Sequence, residues 1–381
     1  MAGRLFGTDG VRGLANGLLT ARLATSLGVA AAQVLTERGE FASHTTDKPR
    51  AIVGRDSRIS GDFLQAAVSA GLASAGVDVI DVGVVPTPAV AFLTDVTGAD
   101  LGVVLSASHN AMPDNGIKFF ARGGHKLDDA VEDAIEARMS NDSQLPTGAG
   151  VGSIRVDDTL VELYIDHVVS SIAGDLSGLT VVIDGANGGD ADRCLAVDEH
   201  GHEIDGDQIM AMLAVDMHAR GLLADGTVVA TVMSNLGFTL AMRQAGITVE
   251  TTAVGDRYVL EQMRAASRSL GGEQSGHVVM LHVAALLKRS GRTASQLAAV
   301  VTRLPQVLIN VQDVDKSATG APGLTSEVAA VEAELGQTGR VLLRPSGTEP
   351  VIRVMVEAAT AEQAQAAAER LAIAVRTHCA L

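Results

Sequence analysis

Leu101–Phe120, LGVVLSASHNAMPDNGIKFF, holds the residues of this chain best placed for chemistry. An apolar run, Leu101, Val103, Val104 and Leu105, reads as a buried strand. It gives way to Ser106-Ala107-Ser108-His109-Asn110 and Asp114-Asn115-Gly116, and apolar residues resume over Ile117–Phe120. A serine on the loop after a buried strand is held firmly yet reaches solvent, which suits a nucleophile or a phosphoryl carrier. The same residue types also make an ordinary polar turn. Other polar loops shift the balance.

Arg4-Leu5-Phe6-Gly7-Thr8-Asp9-Gly10-Val11-Arg12-Gly13 makes a tight glycine-bearing loop from which Arg12 could meet an anion, or a structural turn. Arg55-Asp56-Ser57-Arg58 reads equally as an anion contact or a solvated charge cluster. Asp190 and Asp192 stand two apart on a glycine-bearing stretch. Close carboxylates on a loop suit Mg2+, which takes carboxylates plus phosphate oxygens; they suit a solvated acidic turn about as well. Glu273, Ser275 and His277 alternate within Gly271-Gly272-Glu273-Gln274-Ser275-Gly276-His277. If extended, they offer an acceptor, a hydroxyl and an imidazole to one ligand, as sites for hydroxyl-rich sugars do. Arg344-Pro345-Ser346-Gly347-Thr348-Glu349-Pro350, followed by Arg353, sets a Ser-Gly-Thr loop between two arginines. Exposed N–H groups, hydroxyls and guanidinium make a phosphate nest.

The elements that must position these loops alternate. Thr20 caps an Ala-rich helix reaching about Arg38. Ala51–Gly54 reads as a strand, Asp62–Ala75 as a helix, Val77–Val82 as a strand and Ala89–Val96 as a short helix before the Ser108 strand. That order marks an α/β layer fold with parallel pairing. Leu127–Met139 and Asp157–Ile172 read as helices, with a boundary over Asn141–Gly152. Leu179–Asp184, Cys194–Val197, Thr227–Val232, Ile247–Ala253 and Val278–Leu281 read as strands, and Gln208–Met217 and the stretch opened by Asn235 as helices. Thr293–Leu304, Thr325–Glu334 and Thr360–Thr377 read as helices, and Val307–Val311, Arg340–Leu343 and Val351–Val356 as strands.

The 381 residues suggest about two to four domains. Aromatic residues make up 2% and Trp is absent, so the cores are aliphatic. A net charge of −16 argues against nucleic acid or an anionic membrane as partner. Phosphate must then be held by local Arg, Lys and backbone N–H groups against the global field. Cys194 and Cys379 give no disulfide framework, which points to a reducing cytoplasm. No apolar run approaches the roughly 20 residues of a membrane span, and polar Thr8 and Asp9 are unlike a signal peptide.

Taken in order, LFGTDGVRG, SASHN, GDADR, GGEQSGH and RPSGTEP resemble the α-D-phosphohexomutase family over nearly the whole chain. The early LFGTDGVRG, and Gln274 within GGEQSGH, resemble its bacterial amino-sugar branch. The resemblance implies a multi-domain α/β architecture with mixed parallel sheets and a C-terminal α+β domain. Residues 1–152 would carry the catalytic serine, 153–200 the metal loop, 201–305 the sugar loop and 306–381 the phosphate loop. Ser108 would donate a phosphoryl group to glucosamine 6-phosphate. The resulting 1,6-bisphosphate would reorient and return its other phosphoryl group, leaving glucosamine 1-phosphate for UDP-N-acetylglucosamine and cell-wall synthesis. Mg2+ would lie between Ser108, Asp190 and Asp192, while Arg12, His109, Lys118 and His277 would move protons or stabilise charge. Arg193, Gly255, Asp256, Glu273 and Ser275 would hold the substrate, and Arg344, Ser346, Gly347, Thr348 and Arg353 its non-reacting phosphate. A glucosamine or glucose 1,6-bisphosphate, or a kinase, would first load Ser108, and the family suggests a homodimer.

Three departures from the family stand out. Its metal loop reads DGDxDR, but Gly188 precedes Gly189-Asp190 here, so one carboxylate of that loop is absent. GANG runs straight into GDADR, leaving residues 153–200 too few for a self-sufficient α/β domain. After Leu281, the chain meets His282–Lys288 without the Gly- or Asp-containing loop the family carries. Either the chain is truly shortened or segments of the natural chain are missing from the sequence. Three functions stay open: a mutase on glucosamine, glucose or mannose phosphate; an inactive relative that binds phosphosugar; and a serine phosphomonoesterase. Metal-dependent isomerisation marks the first, and release of free phosphate the last.

Overall fold

Alternating apolar strands and apolar-faced helices bring Ser108 to the end of a central strand in a mixed sheet. The computed structural model describes residues 4–7, 10–41, 48–108, 110–139, 144–172, 174–180, 196–274, 280–346 and 351–380. The chain divides into two units, Met1–Cys194 with Val279–Arg289, and Leu195–Val278 with Ser290–Leu381.

The first unit runs β1 (Val11–Leu14), α1 (Ala21–Glu37), β2 (Arg50–Arg55), α2 (Gly61–Ser74), β3 (Asp78–Val84), α3 (Thr87–Val96), β4 (Leu101–Leu105), β5 (Asp114–Ala121), β6 (His125–Lys126), α4 (Asp129–Arg138), β7 (Ile154–Val156) and α5 (Val161–Ser170). Thr20 caps α1 as expected, its hydroxyl accepting from the Leu23 N–H at 3.2 Å. The sheet order is β1-β5-β4-β2-β3-β7, with β6 beside β5. The β4-β2-β3-β7 pairings are parallel, and those of β5 with β1 and β4 antiparallel. Side chains alternate across the sheet. Val53, Val103, Leu105, Ile117 and Phe119 join Leu27, Leu64, Leu72 and Ile135 of α1, α2 and α4 in one core. Ile52, Ile80, Val104 and Phe120 pack against Val90 and Leu93 of α3 in another. Burying such side chains contributes about 1.5–3 kcal/mol each, which anchors the strands that lead to the site.

The second unit holds β8 (Ala196–Val197), β9 (Glu203–Ile204), α6 (Gly206–Ala219), β10 (Thr227–Thr231), α7 (Leu236–Gln244), β11 (Thr248–Thr252) and α8 (Asp256–Ala265). Then comes α9 (Met280–Ser290), nearly all of it part of the first unit. The chain ends with α10 (Ala294–Ala298), β12 (Gln306–Gln312), α11 (Pro322–Leu335), β13 (Arg340–Pro345), β14 (Val351–Glu357) and α12 (Ala361–His378). Asp205 opens α6 with a reciprocal cap: its carboxylate accepts from the Gln208 N–H at 3.0 Å, and Gln208 Oε1 accepts from the Asp205 N–H at 3.3 Å. β10 and β11 pair in parallel, and β12-β14-β13 form an antiparallel sheet. That sheet packs Val311, Ile352, Val354 and Val356 against Leu324 and Val331 of α11 and Leu371 and Val375 of α12.

Several elements differ from expectation. The stretch expected as a strand over Val278–Leu281 is helical from Met280, while Val278 lies outside the described residues. Val283 and Leu286, three apart, are buried, and no Gly or Pro interrupts the helix. The helix expected over Thr293–Leu304 stops at Ala298, just before the β-branched run Val300-Val301-Thr302. Asp157 delays α5, because its carboxylate accepts from Arg155 Nη1 and Thr159 Oγ1, both at 2.6 Å, and a 3-10 turn over Asp158–Leu160 intervenes. Of the strand expected over Cys194–Val197, Ala196–Val197 is present and pairs with Glu203–Ile204, while Cys194 and Leu195 lie outside the described residues. Leu179–Asp184 falls, beyond residue 180, outside the described residues. Helix α8 occupies Asp256–Ala265, a stretch to which the sequence assigns no element. Among the described residues no helix is long and apolar enough to cross a membrane.

Candidate active site

In the first unit, Ser108 follows β4 with φ +53°, a left-handed conformation uncommon for a residue with a Cβ, and is 8% exposed. Its N–H donates to Ser106 Oγ at 3.1 Å, and the Ala107 carbonyl accepts from the Asn110 N–H at 3.0 Å. The antiparallel β4-β5 register sets Lys118, also buried, opposite Val104, and the β1-β5 register sets Arg12 opposite Gly116. Lys118 and Arg12 thus lie on β5 and β1, the next two strands out from β4, which leads into Ser108. Two glycines permit the close fit. A Cβ on Gly10 (φ +76°) would lie 2.3 Å from the Ile117 carbonyl oxygen, and one on Gly116 would lie 2.2 Å from that of Ser106. His109 lies outside the described residues.

Arg58 is not an anion contact, and Arg55 is engaged by a neighbouring carboxylate. Arg55 pairs with Asp62 at 2.5 Å. Arg58 Nε donates to Asp56 Oδ2 at 3.0 Å, its Nη1 to the carbonyls of Ala111 (2.8 Å) and Asp114 (3.1 Å), and its Nη2 to those of Ser108 (2.7 Å) and Asn110 (2.9 Å). A guanidinium has five N–H donors, and these five bonds use all of them inside the protein.

In the second unit, the buried Glu273 accepts from the Gly255 N–H at 2.9 Å, so two of the expected sugar-loop residues meet. Asp256 begins α8. Ser275 and His277 lie outside the described residues, as do Asp190, Asp192, Arg193, Gly347 and Thr348.

The β13-β14 pair carries two contrasting charge pairs on one face. At one end Arg340 stands opposite Glu357 and pairs with it at 3.0 Å. At the other Arg344 stands directly opposite Arg353, with Asn310 of β12 next in the row. Like charges directly opposite destabilise a sheet, and an anion there relieves them. Ser346 donates its N–H to the Val351 carbonyl at 2.8 Å, and its own carbonyl accepts from Lys316 Nζ at 2.7 Å. Sequence reasoning missed Lys316. The one available signal was rarity, since the chain has only five lysines. If the anion that relieves them is a substrate phosphate, Arg344→Ala and Arg353→Ala should each weaken phosphosugar binding by roughly tenfold or more, the loss of a charge-assisted hydrogen bond. Calorimetry checks this.

Behind those strands lies a buried polar joint. Asn235 caps α7; its amide oxygen accepts from the N–H groups of Gly237 (2.9 Å) and Leu304 (3.0 Å). Its Nδ2 donates to the Leu304 carbonyl (3.0 Å) and Glu357 Oε1 (3.2 Å), and its backbone N–H to Asp207 Oδ2 (2.7 Å). Arg340 adds bonds to the carbonyls of Val232 (3.2 Å) and Ser234 (2.9 Å).

Burial pushes the Asp207 carboxyl from 3.8 up to about 7; the Asn235 N–H opposes the shift, and the carboxylates of Asp205 and Glu357 add to it. The folded chain therefore keeps a proton that the unfolded chain releases above pH 3.8. Stability from this group falls as pH rises from about 4 to about 7, by at most on the order of 4 kcal/mol. Urea unfolding at about pH 5 and pH 8 should show this loss in the parent, and a smaller one in Asp207→Asn.

Among the described residues no group of three or more His, Cys, Asp or Glu is placed to hold a metal. A divalent cation would rest on Ser108 with Asp190 and Asp192, an oxygen donor set whose chemistry fits Mg2+.

Family models for phosphoglucomutase/phosphomannomutase match the chain: alpha/beta/alpha domain I over residues 3–146, alpha/beta/alpha domain III over 205–304, and the C-terminal domain over 307–374. The chain belongs to this family of phosphohexomutases. The expected multi-domain α/β architecture with mixed sheets is the family's own. A curated phosphoglucosamine mutase from Nocardioides sp. is 52% identical over 449 aligned positions, which cover 99% of this chain and 100% of the relative. Those 449 positions, less the 381 residues present, leave at least 68 filled in the relative and vacant here. Among solved structures, a phosphoglucomutase/phosphomannomutase family protein from Burkholderia thailandensis superposes with a TM-score of 0.76 at 21% identity, covering 99% of this chain and 98% of that one. An Aspergillus fumigatus N-acetylphosphoglucosamine mutase, solved with GlcNAc-6P and magnesium, gives 0.62 at 19% identity, covering 98% and 96%. At those identities the likeness is one of fold.

Proposed function

We propose that the chain acts as a phosphoglucosamine mutase, interconverting glucosamine 6-phosphate and glucosamine 1-phosphate. The observation that carries the reading is Ser108, left-handed on the turn after buried β4, with Lys118 on the adjoining β5 and Arg12 on β1 beyond it. The choice of sugar is supported by a relative of that activity at 52% identity. The bond from phosphorus to Ser108 Oγ breaks, and one to the sugar's 1-hydroxyl oxygen forms. The hydroxyl proton passes to a neighbouring base, for which Lys118, His109 and His277 are the candidates. After the bisphosphate turns, its 6-phosphoryl group moves to Ser108 Oγ and O6 takes up a proton, so the protein ends as it began. Arg12 and Arg193 stabilise charge on the moving group. Glu273 and Ser275 hold hydroxyls, with Gly255 and Asp256 beside them. Arg344, Ser346, Gly347, Thr348 and Arg353 hold the resting phosphate. Such transfers depend on position and charge neutralisation, and Mg2+ held by Ser108, Asp190 and Asp192 would supply part of the latter. Loading by a sugar 1,6-bisphosphate, a cytoplasmic setting and a homodimer belong to the same proposal.

The vacant positions favour a second reading, a relative that binds phosphosugar but does not transfer. The test is glucosamine 1-phosphate formation from glucosamine 6-phosphate with Mg2+ and trace glucose 1,6-bisphosphate, after an intact-mass measurement. Turnover supports the mutase. Binding without turnover, at a mass matching 381 residues, supports the second reading. Release of free phosphate would instead mark a phosphomonoesterase.

A further inference from the structure

Fifty residues before Ser108 in the chain, Arg58 is the group around which the serine loop closes. Four carbonyls from one short stretch, those of Ser108, Asn110, Ala111 and Asp114, converge on a single planar cation. The plane is fixed from behind by Asp56, 2% exposed. Asp56 Oδ2 accepts from Arg58 Nε and Oδ1 from the Arg58 backbone N–H, both at 3.0 Å, while the Asp56 N–H donates to the Leu105 carbonyl at 2.9 Å. The clamp is therefore anchored to the last residue of β4. Asn110 Nδ2 closes the far side of the loop on Asp114 Oδ2 at 3.1 Å.

We propose that Arg58, oriented by Asp56, is the positioning residue for phosphoryl transfer at Ser108. The proposal rests on Ser108 being the phosphoryl carrier. A left-handed backbone is unfavourable for any residue with a Cβ and persists only where its surroundings impose it. The Ser108 carbonyl at 2.7 Å makes the shortest of the Arg58 bonds, and a return of Ser108 to an ordinary conformation would swing that carbonyl away. The guanidinium thus holds the backbone angle that sets where Oγ lies. Small misplacements of a reacting atom are costly in rate. Lysine cannot substitute, because three donors on a tetrahedral nitrogen cannot serve a planar five-donor cradle.

The experiment follows loading of Ser108 from glucose 1,6-bisphosphate and Mg2+ by peptide mass spectrometry. It compares the parent with Ser108→Ala, Arg58→Ala, Arg58→Lys and Asp56→Asn, and measures amide exchange over residues 106–114 in each. The parent is expected to take up one phosphoryl group and Ser108→Ala none. Arg58→Ala should load at least roughly tenfold more slowly, with faster exchange in 106–114 and unchanged exchange in β2 and β3. Millimolar guanidinium, but not sodium chloride of equal strength, should restore part of the rate. Arg58→Lys and Asp56→Asn, which keep a cation in place, should move both readouts the same way by a smaller factor, so the test survives if Arg58→Ala fails to fold. Loading of the Arg58 variants at the parent's rate, or slow loading with an unchanged loop, would overturn the proposal. A parent that takes up no phosphoryl group would overturn the carrier reading itself, and the positioning role with it.

Discussion

Ser108→Ala abolishes glucosamine 1-phosphate formation, by at least ~1000-fold, and leaves the fold intact. The first half follows from the proposed mechanism, in which Oγ carries the phosphoryl group between turnovers and alanine has no nucleophile to replace it. The second half follows from the loop's construction. Arg58 holds residue 108 by its carbonyl, at 2.7 Å, and alanine keeps that carbonyl. The melting temperature should therefore change little, and phosphosugar binding through Arg344 and Arg353 should survive. Coupled-assay turnover, calorimetric binding and thermal unfolding, run on one preparation, separate these effects. Turnover in Ser108→Ala comparable to the parent would sink the phosphoserine mechanism.

Asn235→Ala lowers stability by about 3–5 kcal/mol, the range for breaking a buried hydrogen-bonded network that includes a charge. The amide makes four side-chain hydrogen bonds, two accepted and two donated. Deleting it strands the N–H and carbonyl of Leu304 and leaves the fully buried Glu357 with Arg340 and the Leu236 N–H alone. The joint connects α7 to the strands that carry Arg344 and Arg353, so phosphosugar affinity should fall along with stability. Urea denaturation measures the first effect, and calorimetry below the unfolding transition the second. A change under about 1 kcal/mol would mean that the amide is replaceable by water and the joint does not fix those strands.

Many of the elements that carry the candidate site were legible because their signals are local. Thr20 announced its helix, since a capping hydroxyl and the N–H it satisfies lie three residues apart. Ser108 stood out because an unbroken apolar run before a polar turn reads the same in sequence and in space. The 278–281 stretch misled because four apolar residues fit a buried strand or a helix equally well. Arg58 misled for a different reason: its four carbonyl partners lie about fifty residues further along the chain.

Sequence by itself determined the α/β alternation, the serine following its strand, and the strands that carry Arg344 and Arg353, all set by apolar periodicity and by turn residues within a few positions of one another. Tertiary structure alone decided that Arg58 is a clamp and not an anion contact. It alone decided that Arg344 faces Arg353 with Lys316 at Ser346, and that Asp207 keeps its proton to about pH 7. Strand register, burial and the charges gathered around one atom come from residues far apart in the chain, so no local pattern encodes them.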